Sequence, residues 1–194
     1  MNEKTLLVIK SDALQRNIVG DIIARFEKVG LKIVGAKMFV PSLELANKHY
    51  PLDREEFITG MGNKTLKGYK DQGLDPVKLM GTDDPAIIGK KIQEWLVEYL
   101  VSAPVFAFVL EGPHAVEVVR KIVGFTLPAK ADPGTIRGDY SFDSSAYANA
   151  AGRPIRNLVH ASGDVQEANF EVDLWFDKTE LYEYDSVHQK HMTA

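Results

Sequence analysis

Two short segments of the chain contain the side chains best suited to chemistry on an anion. Residues 133–139, Pro-Gly-Thr-Ile-Arg-Gly-Asp, place Arg137 between two glycines. Glycine lets the backbone approach a ligand closely, and an arginine there offers a planar fork of N–H donors that suits phosphate or carboxylate. A turn in which Arg137 pairs with Asp132 or Asp139 explains the same residues equally well. This segment alone leaves anion binding and a structural turn both open.

The second segment, residues 157–164, reads Asn-Leu-Val-His-Ala-Ser-Gly-Asp and contains a histidine, His160. The histidine stands at the end of a predicted strand, just before small residues and the start of a helix. Glu171, on that predicted helix, could accept a hydrogen bond from one imidazole nitrogen, and Ser162 could hold the carboxylate. The other nitrogen would keep a free lone pair, so the residues around His160 favour a nucleophile over a structural histidine.

The elements that must position these segments form two β-α-β patterns. The predicted strands are apolar, partly β-branched runs over residues 5–9, 31–40, 104–110 and 157–160. The predicted helices carry apolar side chains on one face and cover residues 17–30, 42–50, 113–123 and 164–176. Two such units in tandem, with helices on one face of a four-stranded antiparallel sheet, predict a ferredoxin-like βαββαβ α+β sandwich with a helical insertion.

Two stretches do not fit this core, and we interpret them as insertions into a single domain over residues 1–194. Residues 61–94 contain several glycines and then a helix that begins at Asp84-Pro85, an N-cap followed by proline in the first turn. Residues 142–155 are rich in Ser, Ala, Asn and Gly, which predicts a surface loop.

The composition excludes several classes of protein and of site. The 194 residues include no cysteine, which excludes disulfides, thiolate zinc sites and thiol nucleophiles. A formal net charge of -4 without a basic block argues against nucleic-acid binding. The longest apolar run, residues 103–110, is far shorter than the roughly 18 residues of a membrane span. With a polar start that lacks a signal-peptide pattern, these features predict a cytoplasmic protein with no membrane or specific nucleic-acid partner.

Taken together, the motifs resemble those of the nucleoside diphosphate kinases. Residues 157–162 resemble the active-site signature of that family, and residues 133–139 resemble its other hallmark segment. The similarity extends over most of the chain outside the two insertions, at Lys10, His49-Tyr50, Phe57, residues 110–112 and residues 174–176. It implies transfer of the γ-phosphoryl group of a nucleoside triphosphate, ATP for example, to a nucleoside diphosphate, which maintains NTP and dNTP pools.

The resemblance also implies a role for each matched residue. His160 would take the phosphoryl group as a phosphohistidine and pass it on in a ping-pong cycle, with Glu171 and Ser162 orienting the ring and Tyr50 close to the transferred group. The expected substrate contacts are the diphosphate for Arg120, Thr126 and Arg137, the ribose 3′-hydroxyl for Lys10 and Asn157, and the base for Phe57. Lys10 would also lie near the transferred phosphoryl group.

Three further expectations concern the ligands and the assembly. Stacking on an aromatic ring barely distinguishes bases, which implies broad nucleotide specificity. Mg²⁺ would be held mainly by phosphate oxygens and not by protein ligands. The family forms homo-oligomers, so a hexamer or a tetramer is expected.

The chain departs from the family pattern at two places that bear on the site. Lys10-Ser11-Asp12 stands where the family usually has Lys-Pro-Asp, so a rigid turn is lost while the ammonium is kept. The insertion at residues 61–94 falls within the paired helices that wall the family's nucleotide cleft, which leaves the role of Phe57 open. A second function also stays open, namely a nucleotide-binding regulatory module on the same fold that does not turn over.

Overall fold

A four-stranded antiparallel sheet forms the centre of the chain, for which the computed structural model describes residues 2–192. In chain order, its strands are β1 (Asn2–Ile9), β2 (Lys32–Phe39), β3 (Val105–Pro113) and β4 (Val159–Ala161). They lie side by side in the order β2-β3-β1-β4, and every neighbouring pair is antiparallel. With its crossover helices, this sheet is a ferredoxin-like α+β sandwich, and the predicted fold class is confirmed.

Helices connect and cover the strands. In chain order, the α-helices among the described residues are α1 (Ser11–Gln15), α2 (Val19–Lys28), α3 (Leu43–His49), α4 (Glu55–Asp71), α5 (Pro76–Met80), α6 (Pro85–Val101), α7 (Ala115–Val123), α8 (Ile136–Tyr140), α9 (Ser145–Ala150), α10 (Val165–Trp175) and α11 (Val187–Met192). Two predicted helix starts are wrong, because Asn17 is in the left-handed region (φ 56°) and α2 begins only at Val19, and because Pro113 ends β3. Within residues 2–192, no helix has both the length and the apolar composition that a bilayer crossing requires.

Helices pack on both faces of the sheet, so the expectation of helices on one face is wrong. Successive residues of β1 point to opposite faces. Leu7 and Ile9 belong to a buried cluster with α2 and α7, whereas Leu6 and Val8 belong to a second cluster with α3, α6 and α10. All four side chains are fully buried. The unbroken apolar run of β1 is therefore the mark of a strand covered on both sides.

The first predicted insertion lies in a helical hairpin formed by α4 and α6. Helix α6 begins where Asp84-Pro85 predicts, and the Asp84 carboxylate accepts hydrogen bonds from two backbone N–H groups of the first turn (2.7 and 3.3 Å). Helix α4 is not predicted by the sequence analysis. At Gly62 and Gly89 the backbone of the partner helix lies so close that an added Cβ would overlap it.

The second predicted insertion is only partly a surface loop, because it contains α9. Ser144 Oγ caps this helix by accepting a hydrogen bond from Tyr147 N (3.3 Å). Asn149 on α9 donates a hydrogen bond to the hydroxyl of Tyr69 on α4, and both side chains are buried. The prediction of a loop is wrong for these residues. The helix is too short to be stable by itself, and the contact between Asn149 and Tyr69 stabilises it against the hairpin.

Candidate active site

A cavity of about 190 Å³ opens beside β4 and collects most of the predicted site residues. The predicted residues that line it are Lys10, Tyr50, Arg120, Thr126, Arg137, Asn157 and His160. It adjoins a larger cleft of about 1330 Å³, which shares Arg120 and Thr126 with it and extends to Phe57 and Glu171. Segments that are far apart in sequence thus meet at one surface, with three cationic side chains in the cavity wall.

His160 lies in the middle of β4, opposite Val8 of β1. Its Nε2 is 2.8 Å from Glu171 Oε1 and 2.9 Å from Oε2, and Ser162 Oγ donates a hydrogen bond of 2.6 Å to Oε2. Burial would raise the pKa of Glu171, but the neighbouring His160 imidazole outweighs it, with smaller contributions from His49 and Ser162, and the pKa falls to about 2. An ionised Glu171 accepts a hydrogen bond from the Nε2–H group, which leaves Nδ1 of His160 as the nitrogen with a lone pair.

His49 is a site residue to which the sequence analysis assigned no role. It ends α3, and its buried ring lies edge-on to the His160 ring, with 4.4 Å between the centroids. Burial lowers the pKa of His49 to about 3, and the nearby His160 lowers it too, so His49 is neutral. Trp175 Nε1 donates a hydrogen bond to His49 Nδ1 (3.2 Å). The one feature of the sequence that could have indicated a role for His49 is its position directly before Tyr50, a predicted site residue.

Lys10 is buried at the end of β1, and its ammonium is tied to the segment that contains His160. Its Nζ donates a hydrogen bond to Asn157 Oδ1 (2.9 Å), while Asn157 Nδ2 donates one to the carbonyl of Thr126 (3.2 Å). Burial lowers the pKa of Lys10 to about 8, Asp12 opposes this, and Arg137 adds to it. The lysine is therefore held in place but charged only up to mildly alkaline pH.

Arg137 is fixed by backbone carbonyls, so the turn in which it pairs with an aspartate is ruled out. Its Nε, Nη1 and Nη2 donate to the carbonyls of Asn157 (3.1 Å), Gly124 (2.9 Å) and Val159 (2.7 Å). Asp139 instead accepts from Arg25. Burial lowers the pKa of Arg137 to about 10, helped by the neighbouring Arg120. Three of its five N–H groups are occupied, which leaves two that can face an anion.

The glycine after Arg137 has a structural reason. A Cβ at Gly138 would lie 2.1 Å from the carbonyl oxygen of Asp132, so only glycine fits where α8 starts. Thr135 Oγ1 caps that helix by accepting a hydrogen bond from Gly138 N (3.1 Å). The tight turn thus positions Arg137.

The remaining predicted residues differ in how closely they approach His160. Arg120, in the last turn of α7, is exposed and lines both the cavity and the cleft. Tyr50 is buried beside His49, and burial raises the pKa of its hydroxyl. Phe57, near the start of α4, is half-buried against the second core cluster, and the Arg54 guanidinium lies 5.8 Å from its ring. Phe57 reaches only the larger cleft, and its contact with a base stays a prediction.

Comparison with known proteins gives consistent matches along the chain. The family model described as nucleoside diphosphate kinase matches residues 3–62 and 86–181. A relative from Pyrobaculum aerophilum named nucleoside diphosphate kinase is 50% identical over 181 residues, which are 93% of this chain and 98% of that protein. A relative of the same name from Pyrococcus furiosus is 41% identical over 182 residues, 94% of this chain and 88% of that protein.

Solved structures give the same result. An NDP kinase from Pyrobaculum aerophilum superimposes with a TM-score of 0.89 at 49% sequence identity. The superposition covers 94% of this chain and 100% of the Pyrobaculum chain. A transition state mimic of nucleoside-diphosphate kinase from Borrelia burgdorferi with bound vanadate and ADP has a TM-score of 0.77 at 35% identity, covering 98% of this chain and 96% of its own. The family model does not match residues 63–85, which lie between its two matched ranges and within the first predicted insertion. The division of the chain into one domain with two insertions stays a prediction.

Proposed function

This chain belongs to the nucleoside diphosphate kinase family, and on that premise we propose that His160 carries the phosphoryl group between nucleotides. The observation that supports this most directly is the series of hydrogen bonds from Ser162 to Glu171 and from His160 Nε2 to Glu171. It leaves Nδ1 as the ring nitrogen with a lone pair, on a histidine that lines a cavity with three cationic side chains. Nucleophilic catalysis by histidine needs such a fixed tautomer.

The transfer has two half-reactions. In the first, the lone pair of His160 Nδ1 attacks the γ-phosphorus, the bond from phosphorus to the β–γ bridging oxygen breaks, and the nucleoside diphosphate leaves with that electron pair. The Nε2 proton stays on the ring, and Glu171 balances the positive charge that develops on the imidazole. In the second, a terminal oxygen of the acceptor diphosphate attacks the phosphorus and the N–P bond breaks, which regenerates neutral His160.

The cations supply the electrostatic part of this chemistry. Phosphoryl transfer depends on positioning and on stabilising the charge of the phosphate oxygens. We assign the diphosphate to Arg120, Arg137 and the Thr126 hydroxyl, and the ribose 3′-hydroxyl to Lys10 and Asn157. Because Arg137 and Lys10 are already anchored in the protein, little reorganisation is needed when the charge develops.

Mg²⁺ is proposed to enter with the nucleotide. The described residues that line the cavity include no carboxylate, and Mg²⁺ prefers oxygen ligands. His49, His160 and Glu171 lie close enough together to hold a metal, but two of them offer nitrogen and His49 Nδ1 already accepts from Trp175. Held by the phosphate oxygens of the nucleotide, Mg²⁺ would neutralise part of their charge and make the γ-phosphorus a better electrophile.

Incubation with γ-³²P-labelled ATP and Mg²⁺ tests the proposal. The protein should acquire acid-labile, alkali-stable label, added GDP should remove the label as labelled GTP, and chelation of Mg²⁺ should abolish labelling. A protein that binds nucleotide but stays at background label would contradict the proposal and support the non-catalytic regulatory module.

Lys10 should set the alkaline limit of the transfer rate. Its ammonium is charged below its pKa of about 8 and neutral above it, so kcat/KM should fall about tenfold per pH unit above that value. Lys10→Arg keeps a positive charge at these pH values and should lose this limb of the profile. The measurement is kcat/KM for GDP between pH 6 and 10 in both proteins. A limb at the same pH in Lys10→Arg would contradict the assignment.

The assembly is proposed to be a homo-oligomer, a hexamer or a tetramer. Large apolar side chains are exposed on the single chain, among them Phe142 at 90% and Leu43 at 61%, and contact with another subunit would remove this apolar surface from water. Sedimentation velocity at micromolar concentration measures the state, and a species near 21.6 kDa would contradict the proposal. A cytoplasmic location and the lack of a specific nucleic-acid partner stay predictions.

A further inference from the structure

His49 contacts both Trp175 and the carboxylate that orients His160. Trp175 ends α10, one helical turn after Glu171, and its Nε1 is 3.2 Å from His49 Nδ1. The same Nδ1 is 3.4 Å from Glu171 Oε1, and that oxygen is 2.8 Å from His160 Nε2. The side chains of His49 and Glu171 are only 1% and 3% exposed, so water does not compete for these contacts.

Nδ1 of His49 can form a hydrogen bond with only one of these two neighbours. The indole N–H of Trp175 is a donor, so it needs the Nδ1 lone pair, whereas an ionised carboxylate only accepts and would need a proton on Nδ1. Burial lowers the pKa of His49 to about 3, so the ring is neutral and carries one proton, on either Nδ1 or Nε2. The position of that proton decides which of the two contacts is a hydrogen bond.

The distances favour a lone pair on Nδ1. The contact with Trp175 lies within hydrogen-bond range, whereas 3.4 Å to Glu171 Oε1 is long for a hydrogen bond to a charged acceptor. A proton on Nδ1 would also face the buried indole N–H and leave it without an acceptor, which is costly inside a protein. His49 Nε2 then carries the proton, although this buried atom has no hydrogen-bond partner among residues 2–192.

We propose that Trp175 is a positioning residue: by donating to His49 Nδ1, it prevents His49 from donating to Glu171 and leaves that carboxylate to His160. The inference rests on the proposed function. Both oxygens of Glu171 lie within 2.9 Å of His160 Nε2, so they face the ring that becomes positive when the phosphoryl group is bound. A hydrogen bond from His49 to Oε1 would take up part of this negative charge when the reaction needs it.

The packing of the rings supports a fixed tautomer. The His49 ring lies edge-on to the rings of His160 and Trp175, with 4.4 and 5.4 Å between the centroids. Phe39 of β2 packs against Trp175 at 5.8 Å, and Trp175 belongs to the second buried core cluster. Because the core holds both side chains in place, we expect the same His49 tautomer in the nucleotide-free protein.

The test is ¹⁵N NMR of the histidine rings in the nucleotide-free protein, because the shifts of Nδ1 and Nε2 show which nitrogen carries the proton. The His49 signals are assigned by their loss in His49→Phe. The wild type should have the proton on Nε2, and Trp175→Phe, which lacks the indole donor, should have it on Nδ1. Trp95→Phe is the matched control. It replaces the other tryptophan of the chain, which packs against a different buried cluster, and should leave the His49 tautomer unchanged.

The rate of phosphohistidine formation separates a positioning role from a purely structural one. In single-turnover experiments with γ-³²P-labelled ATP, Trp175→Phe should lower this rate about tenfold, because His49 then holds part of the Glu171 charge. In a His49→Phe background no ring N–H can reach Glu171, so adding Trp175→Phe should lower the rate by at most about twofold more. Equal losses in the two backgrounds would mean that Trp175 acts only through packing, and would overturn the proposal.

A His49 proton on Nδ1 in the wild type, or on Nε2 in Trp175→Phe, would equally overturn it. Because the NMR measurement needs no nucleotide, its result is independent of the labelling experiment, and the two hypotheses can fail separately. If Trp175→Phe does not fold, benzothienylalanine placed at position 175 carries the test, since it keeps the shape of the indole and lacks the N–H group. The same tautomers are expected there, and a proton that stays on Nε2 would contradict the inference.

Discussion

Replacing His160 by asparagine is expected to lower the turnover of ATP and GDP by at least about 10⁴-fold while the protein stays folded. The substitution removes the Nδ1 lone pair on which both half-reactions depend. The amide of an asparagine can still donate toward Glu171, so the buried carboxylate keeps a partner and the site should not collapse. Steady-state transfer rates and incorporation of label from γ-³²P-ATP measure the loss, and circular dichroism checks the fold.

The matched control for this substitution is His114→Asn. His114 is exposed ahead of α7 and has φ 53°, a conformation that asparagine tolerates well. Its replacement should leave turnover within about twofold of the wild type. If His160→Asn still incorporated acid-labile label, the phosphohistidine would have to lie elsewhere, and the role assigned to His160 would be wrong.

The chemistry of this site could be predicted from sequence because much of it stands on short segments. Residues 133–139 and 157–164 each contain a reactive side chain together with the small residues that position it. His49 could not be assigned a role in this way, because its function depends on packing. Its partner Trp175 lies 126 positions away, and no local pattern connects them.

The same contrast holds for the fold. Asp84-Pro85 identifies the start of α6 because capping is a local property of the chain. Helix α4 could not be predicted, because Gly60, Gly62 and Gly68 lower its helix propensity. It forms because it packs against α6, a tertiary contact that overrides propensity.

Gly62→Ala should therefore destabilise the protein, although alanine is the better helix former. A Cβ at Gly62 would lie 1.8 Å from the carbonyl oxygen of Pro85, and one at Gly89 would lie 2.0 Å from the carbonyl oxygen of Ile58. Both contacts are with backbone, so the helices must separate. We expect a loss of about 3 kcal/mol in the free energy of unfolding, larger than the gain of about 1 kcal/mol from helix propensity.

Gly60→Ala is the matched control two positions away on the same helix. A Cβ there would meet no atom within 4 Å, so only the propensity gain should remain and the melting temperature should rise slightly. Thermal unfolding of the three proteins at equal concentration measures the difference, and equal melting temperatures for Gly60→Ala and Gly62→Ala would contradict it. Because Phe57 on α4 lines the cleft and Leu96 on α6 lines the cavity, separation of the helices in Gly62→Ala should also raise KM for nucleotide. The close glycine contact is thus required both for the stability of the hairpin and for the shape of the cleft it lines.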